Sequence, residues 1–169
     1  MAEAVSLQVV AKLIGAMTNA IDLSTPADAL SLDFSTTFAN GTGANQANMW
    51  WHDQRTLGAS ASENIDLAGV LTSVFGTTIT FTSIKVFYVK ASAANNSAND
   101  VHVKRGTAGP ALFLADGDGT ALPAGAWLLH VNPNATGWVV TATTADIVTI
   151  TNSAGTNSVV YDIFIAGEV

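Results

Sequence analysis

Residues 158–167 read SVVYDIFIAG, and the alternation of their side chains indicates the fold of the whole chain. Successive side chains of a β-strand point to opposite faces of a sheet. The side chains that share one face here are large and apolar: Val159, Tyr161, Ile163 and Ile165. Because the other face also carries Val160 and Phe164, it holds too much apolar surface for a face in contact with water. We therefore expect this strand to lie at the centre of its sheet or under a neighbouring protein.

The same two-residue period recurs along most of the chain. Leu30, Leu32 and Phe34, for example, alternate with polar side chains, as expected of a half-buried strand. The segments predicted to be strands, most of them bounded by Gly, Asn, Asp or Pro, are residues 30–38, 48–57, 63–67, 78–90, 99–105, 111–115, 126–131, 137–143, 146–151 and 157–166. Many short strands with frequent turn signals and little helix predict an all-β fold, an antiparallel β-sandwich with jelly-roll or other Greek-key connections.

Two segments depart from this simple pattern. In residues 78–90 the apolar positions change face once, which predicts a β-bulge near Thr82 and Ser83. Residues 66–76 carry apolar side chains at helical spacing and end at Gly76, so they predict one short helix.

The N-terminal residues form a third exception. Their apolar side chains recur at a spacing that suits a short helix: Val5, Leu7, Val10, Leu13, Ile14 and Met17. Pro26 then predicts a turn. We interpret residues 1–28 as an N-terminal arm and residues 29–169 as a β-sandwich domain.

Composition narrows the classes of partner. The chain has 6 basic and 13 acidic side chains, a net charge of −7, and no basic cluster larger than Lys104-Arg105, which argues against a nucleic-acid partner. No apolar run is long enough to span a bilayer. A secretion signal begins with positive charge and continues with an uninterrupted apolar segment, whereas this chain has Glu3 at its start and Lys12 within the apolar part. We therefore expect no membrane partner. Only 11% of the residues are charged whereas 49% are hydrophobic. We therefore expect neighbouring proteins to cover much of the surface.

The stretch MWWHDQRTL, residues 49–57, places two tryptophans beside a histidine and an aspartate. In a strand, Trp50 and His52 point to one face of the sheet. Trp51 and Asp53 point to the other face, so the histidine and the aspartate cannot act together. The favoured interpretation is a sheet edge or a protein interface, where an indole buries its area and its N–H finds a partner. The alternative is a tryptophan that stacks on a sugar.

Other residues that could carry chemistry are sparse. The chain has no cysteine, and His52, His102 and His130 lie far apart in sequence without a metal-binding motif. Asp100 and His102 share a strand face and are the pair on which an enzyme would depend, but such pairs are common and usually solvated. We predict no catalytic residue, no metal site, no cofactor and no enzymatic activity.

Two glycine-rich segments resemble ligand-binding loops only in part. The segment Asp116-Gly-Asp118-Gly119 begins like a calcium loop, but Trp127 occupies the twelfth position, where such a loop has a glutamate. A hairpin turn explains it better, because Asp and Gly both tolerate positive φ. Residues 41–46, GTGANQ, lack the third glycine of a dinucleotide-binding fingerprint and its strand–helix–strand context.

A family resemblance covers about two-thirds of the chain. Residues 18–92 carry it, above all LSLDFSTTFANGTGANQANMWWHDQRTL and ENIDLAGVLTSVFG leading to TFTSIKVFYVK, in that order. This block resembles a group of small virion-associated proteins of tailed bacteriophages and prophages. Residues 137–167, GWVVTATTADIVTITNSAGTNSVVYDIFIAG, are similar to the closing strands of the same group.

The resemblance implies a β-sandwich protein of the virion. Within that class we expect a capsid decoration (cement) protein, made in the bacterial host cytoplasm, that sits as a homotrimer on the capsid surface and binds the major capsid protein. The residues expected to contact the capsid or other copies are Val5, Leu7, Val10, Leu13, Ile14, Trp50 and Trp51. The alternative is a head-fibre or tail adhesin module that binds host surface glycans, with tryptophans as stacking platforms: Trp50, Trp51, Trp127 or Trp138.

Overall fold

Strands account for all the regular secondary structure of the described residues. The structure is a computed structural model, and it describes residues 4–69 and 71–169. Over these two ranges fourteen β-strands and no helix are present. In chain order the strands are β1 (Leu7–Thr18), β2 (Ala27–Asn40), β3 (Gln46–Ala47), β4 (Met49–Leu57), β5 (Ser62–Asp66), β6 (Leu71–Thr72), β7 (Thr78–Ile79), β8 (Ser83–Ala91), β9 (Val101–Arg105), β10 (Gly119–Leu122), β11 (Trp127–Val131), β12 (Trp138–Val139), β13 (Ile147–Asn152) and β14 (Val159–Glu168).

Nine of these strands form two antiparallel sheets. Sheet 1 has the order β4-β14-β8-β11, with β12 continuing beside β8, and sheet 2 has the order β5-β13-β9-β10. The chain crosses between the sheets from β4 to β5, from β8 to β9, from β10 to β11 and from β13 to β14. This order is that of a jelly roll, in which two Greek keys wrap into a double sheet. The predicted all-β sandwich is confirmed.

The strand that opened the sequence analysis lies at the centre of sheet 1. β14 pairs with β4 over nine residue pairs on one side and with β8 on the other. Its four alternating apolar residues are almost completely buried in the core between the sheets. Phe164 points to the opposite face, where it packs under the root of the N-terminal strands. The predicted central position of this strand is confirmed.

The core between the sheets is built from alternate residues of both. Sheet 1 and sheet 2 contribute fully buried side chains that include Phe87, Val89, Ile163, Val101, Val103, Val148 and Ile150. Trp51 is buried in the same core, whereas Trp50 is on the outer face of sheet 1. The predicted alternation of the two tryptophans is therefore confirmed.

The predicted bulge lies two residues further along the chain than expected. The long predicted strand is divided, since β7 ends at Ile79 and β8 begins at Ser83. Within β8, Val86 pairs with Ala166 and Ile84 pairs with Gly167, so Lys85 is the extra residue of the ladder. The bulge turns Lys85 into the protein, where its side chain is fully buried.

The predicted helix over residues 66–76 is wrong. Residues 67–69 form a turn, and β6 pairs with β7 beyond it. Asp66 Oδ1 accepts a hydrogen bond from the N–H of Ala68, at 2.9 Å, and Ser73 Oγ accepts from the N–H groups of Phe75 and Thr77, both at 3.2 Å. These local bonds take backbone donors that a helix would use, which is why short polar side chains favour turns.

A second correction concerns residues 111–115, which are not a strand. Arg105 binds the backbone carbonyl groups of this region with its guanidinium, through Nε to Gly109 and through Nη1 to Phe113 and Leu114. The strand that pairs with β9 is instead β10, which follows the turn at Gly117. The Asp-Gly segment therefore forms the turn that we favoured for it, with the N–H of Asp118 bonded to the carbonyl of Ala115 at 3.0 Å.

The N-terminal segment forms a β-hairpin and not a helix. β1 and β2 pair over twelve residue pairs, from Leu7 with Phe38 to Thr18 with Ala27, and a tight turn between Ile21 and Ser24 joins them. A lone twelve-residue helix is marginally stable in water, whereas the return strand supplies hydrogen-bond partners to every second residue. The domain boundary expected at residue 28 lies inside β2, since the return strand belongs to the hairpin. Residues 1–3 of the expected arm lie outside the described residues.

Candidate interaction site

The hairpin of β1 and β2, called the arm from here on, has two chemically different faces. Directly paired residues of an antiparallel ladder share a face, so the register assigns every side chain. One face, the arm face, is largely apolar and comprises Ala11, Leu13, Gly15, Met17, Leu30, Leu32 and Phe34, with Asp28 beside Met17 as its one charged residue beyond the root. The opposite face is mainly polar, with Val10 and Ile14 as its large apolar side chains and an ion pair between Lys12 and Asp33 at 3.0 Å.

The root of the arm is its end next to sheet 1, residues 7–9 and 36–38. Beyond the root, the arm face is exposed along its whole length. The fractional exposure of its large side chains lies between 43% for Leu32 and 74% for Met17. Every residue from 12 to 35 is exposed, so within the described residues nothing covers either face of this part of the arm. A two-stranded hairpin alone is at best marginally stable in water. An exposed apolar patch of this kind marks an interaction site.

The root of the arm shows how its apolar face behaves when it is covered. Leu7, Val9 and Phe38 lie on the same face as Leu13 and Leu32. Phe38 is fully buried, and with Leu7 and Val9 it belongs to a second apolar cluster on the outer face of sheet 1. That cluster also contains Val5, Ala47, Val86, Leu129, Val131, Phe164 and Ala166. The arm face is thus the continuation of a buried surface.

A groove of about 560 Å³ lies beside the root of the arm. Its lining residues are Ala4, Val5, Asn48, Met49, Trp50, Trp51, His52, Ser73, Val74, Phe75 and Thr77. Trp50 is 36% exposed and packs obliquely on Phe164, with ring centroids 6.2 Å apart. Val74 and Phe75, on the turn between β6 and β7, are also exposed, Phe75 to 76%. The groove therefore presents apolar side chains, and among residues 4–69 and 71–169 no carboxylate, lysine or arginine lines it.

The seven expected contact residues fall into three groups. Val10, Leu13 and Ile14 are exposed on the arm, although Leu13 is on the arm face and the other two are on the opposite face. Leu7 is half-buried and Trp50 is exposed at the groove. Val5 and Trp51 are buried in apolar clusters, although both reach the groove lining. The helical spacing that selected the N-terminal residues thus combined residues from two faces of a strand.

Sequence reasoning missed other members of this site. Leu30, Leu32 and Phe34 were correctly predicted to share one face of a strand, but that face was interpreted as part of the sandwich core. The signal that could have separated them is the pairing of two adjacent alternating segments around a short turn. Val74 and Phe75 were assigned to a helix, where they would have been buried.

The four tryptophans do not form one platform. Trp127 pairs with Lys90 near one end of β8, and Trp138 pairs with Ile84 near the other. Trp138 is half-buried and packs against the ring of His130, at 5.9 Å between centroids. Phe113 packs on the same histidine, and this burial lowers the pKa of His130 below its ordinary value. His130 is therefore part of a small aromatic cluster at the edge of the core.

The polar groups of β4 and β5 are engaged with one another. The carboxylate of Glu63 on β5 accepts a bond from Arg55 Nε at 2.7 Å, and its second oxygen accepts from the hydroxyl of Tyr161 at 2.7 Å. Burial and this hydrogen bond raise the pKa of the Tyr161 phenol, and the bond to Glu63 raises the pKa of Arg55. Asp53 also pairs with Arg55, at 3.0 Å. This network of Arg55, Glu63, Asp53 and Tyr161 links the two sheets and is called the clamp from here on.

The two carboxylates of the Asp-Gly segment are also engaged in structural contacts. Asp116 pairs with Arg105 at 3.0 Å, and Asp118 accepts a bond from the N–H of Ala115 at 2.8 Å. Asp100 lies just before β9, where its N–H bonds to Ser153 Oγ at 2.8 Å, and His102 is in β9. Among residues 4–69 and 71–169, no three His, Cys, Asp or Glu side chains are grouped so that they could hold a metal ion.

Comparison with known proteins gives no relative from which a function can be transferred. No protein-family model matches the chain, and no curated protein or solved structure matches it either. In the part of the chain that the structure describes, no helix is long and apolar enough to cross a membrane.

Proposed function

We propose that this chain is a structural protein of a tailed-bacteriophage virion, a capsid decoration protein that binds the major capsid protein at the outer surface of the shell. The observation that carries the proposal is the arm, which extends one uncovered apolar face from a jelly-roll body. A protein that works alone has no use for such a face, whereas a protein that assembles needs one. The arm is the element through which we expect it to engage its neighbours on the shell.

Three further features support this proposal. The jelly roll is an architecture found in viral capsid proteins, although it also occurs in lectins and cupins. It therefore supports a virion structural protein as the class and does not by itself support capsid decoration. The low fraction of charged residues suits a surface that is covered in an assembly. The sequence resembles small phage virion proteins over about two-thirds of its length. No step of this function requires a catalytic group.

Decoration is also physically sufficient as a function. A repeated contact on a shell gains from multivalency, because a second attachment of an already bound particle is intramolecular. An interface of ordinary size, roughly 1,600 Å² in total, therefore suffices even when each contact is of modest affinity. The protein would stabilise capsomer junctions by contact area alone.

The test is co-sedimentation with undecorated phage capsids. We expect the purified chain to pellet with the shells at stoichiometric copy number and to raise the temperature at which they release DNA. The double substitution Leu13→Ser and Leu32→Ser on the arm face should abolish both effects, whereas Leu114→Ser with Val139→Ser, at exposed positions outside the arm, should leave them. If the unsubstituted protein stays in the supernatant, decoration is not its function.

A second candidate function rests on the exposed indole of Trp50. Its ring lies at a groove that also presents Asn48 and His52, a combination in which a sugar could stack and form hydrogen bonds. This is the glycan-binding adhesin alternative. It predicts that the isolated protein binds host surface glycans and that Trp50→Ala abolishes binding, whereas Trp127→Ala on the distant strand β11 does not. Absence of binding to a host glycan panel would remove it.

A further inference from the structure

Two uncovered apolar surfaces occur on the same chain, and they match each other in chemistry. One is the arm face with the tip beyond it, where Ile21 is 55% exposed and Leu23 is 98% exposed. The other is the groove lined by Trp50, Val74 and Phe75. The charged pair of the arm, Lys12 and Asp33, lies on the opposite face and would stay in water. Two further carboxylates, Asp28 on the arm face near the tip and Asp22 at the tip, are exposed and must remain in water at the rim of the contact. A partner for either surface is therefore present on every other copy of the chain.

We propose that two copies associate about a two-fold axis, with their arm faces packed against each other and the tip of each arm in the groove of its partner. This inference concerns the oligomer that would act under the proposed function, and it differs from the three-fold assembly that the family resemblance implies. A two-fold interface uses the same patch on both copies, which is what a self-complementary arm provides.

The position of the groove supports this arrangement. Ala4 and Val5, just before β1, line the groove, so the groove lies at the root of the arm. When two arms lie side by side in opposite directions, the tip of each one reaches the root of the other. The part of the arm beyond its root has nine residue pairs, from Val10 with Ser35 to Thr18 with Ala27, and is about 30 Å long at ~3.4 Å per residue.

The area that this pairing buries is that of a stable interface. Each free arm face measures about 30 Å by 10 Å, so packing two of them face to face buries roughly 600 Å². Each tip in its groove adds about 400 Å², because a large aromatic side chain buries 150–250 Å² and both surfaces count. The total of roughly 1,400 Å² lies in the range of specific complexes. A three-fold ring would leave each interface with one tip contact, about 400 Å² of this total, which is below the size of a specific interface.

The experiment measures the mass of the full chain in solution across a range of concentrations, by sedimentation equilibrium. We expect a dimer. Ile21→Ser with Leu23→Ser at the tip, or Phe75→Ser at the groove, should each weaken the dimer about 30-fold or more, as loss of an interface anchor does. The control is Leu114→Ser with Val139→Ser, which removes exposed apolar side chains outside the arm and the groove and should change the dissociation constant less than about threefold.

A charge exchange tests the contact itself. Leu23→Lys and Val74→Glu should each weaken the dimer, and the chain that carries both should recover, because the tip of one copy then meets an opposite charge in the groove of the other. A monomer at all concentrations, a trimer, or a double variant without recovery would overturn the proposal. If the chain is a monomer that binds capsids, the decoration proposal stands, the dimer proposal fails, and the arm contacts the shell. If the chain is a dimer that does not bind capsids, the dimer proposal stands and the decoration proposal fails.

Discussion

The sandwich and the arm are built from the same kind of alternating strand, but only the sandwich provides its own cover. In β14, the face of Ile163 lies in the core and the face of Phe164 lies under the root of the arm. In β1, Leu13 lies on a similarly apolar face that is exposed to solvent. Burial within one chain thus stabilises the sandwich, whereas the described residues supply no such burial for the arm beyond its root. Alternation alone defines a strand, and its tertiary surroundings decide whether the strand is core or interface.

The strongest test of the sandwich removes its buried cation. Lys85 Nζ donates hydrogen bonds to the carbonyl groups of Asn134 and Ala135 and lies 3.0 Å from Glu168 Oε1. Lys85→Met leaves Glu168 without its partner in a buried site, which should lower the free energy of unfolding by about 3–5 kcal/mol. Chemical denaturation measures this. Lys90→Met, on the same strand but exposed, should cost no more than about 0.5 kcal/mol. Equal effects of the two substitutions would contradict a structural role for the buried pair.

The next test compares two phenylalanines of β2, one in each region. Phe38 is fully buried at the root and Phe34 is 56% exposed on the arm. Phe38→Ala should lower the free energy of unfolding by about 3–5 kcal/mol, because it opens a cavity in a packed cluster. Phe34→Ala should change it by less than about 0.5 kcal/mol at a concentration where the protein is monomeric. A large effect of Phe34→Ala in the monomer would mean that the arm is covered by its own chain.

A smaller effect is expected from the clamp between the sheets. Tyr161→Phe removes one hydrogen bond to the Glu63 carboxylate and should cost about 1.5–3 kcal/mol. Because the folded state raises the pKa of this phenol, its stabilisation should be complete below the ordinary tyrosine pKa of ~10 and be lost as the pH rises above it. Denaturation series at several alkaline pH values measure this loss. Burial also raises the pKa of Tyr88, the other tyrosine of the chain, so Tyr88→Phe should remove a separate and smaller part of the loss. An alkaline loss of wild-type size in Tyr161→Phe would contradict the assignment to Tyr161.

The smallest expected effect is a pH dependence at His130. Since burial lowers the pKa of this imidazole, the unfolded chain binds the proton more readily than the folded protein. Stability should be complete above ~6.5 and fall as the pH drops below it, by less than about 1 kcal/mol because the ring is only half-buried. His130→Gln should remove this slope in a denaturation series from pH 7 to 5. His52→Gln, at an exposed position, should retain it.

The fold class was accessible from the sequence because burial on alternate positions leaves a direct record in residue type. The central position of β14 followed from its two apolar faces. The turns within residues 66–76 were not accessible in the same way. The apolar residues there have helical spacing, but hydrogen bonds to the side chains of Asp66 and Ser73 favour turns. The periodicity of apolar residues contains no information on such local hydrogen bonds.

The candidate site was only partly accessible for a different physical reason. Leu13 and Trp50 were named among the contact residues, and both are exposed. Trp51 was named with them, although the alternation that was recognised for this strand places it in the core. The arm face as a whole was missed because a strand with one apolar face has the same pattern whether its own chain or another molecule covers it.

The connection between the arm and the body also has a mechanical consequence. β3 runs parallel to the end of β2, so the chain loops back at residues 41–45 before it continues through β3 into β4. Nine residue pairs hold β4 to β14, the central strand of sheet 1. Tension applied to the tip would therefore pass through β2 and β4 to the centre of sheet 1.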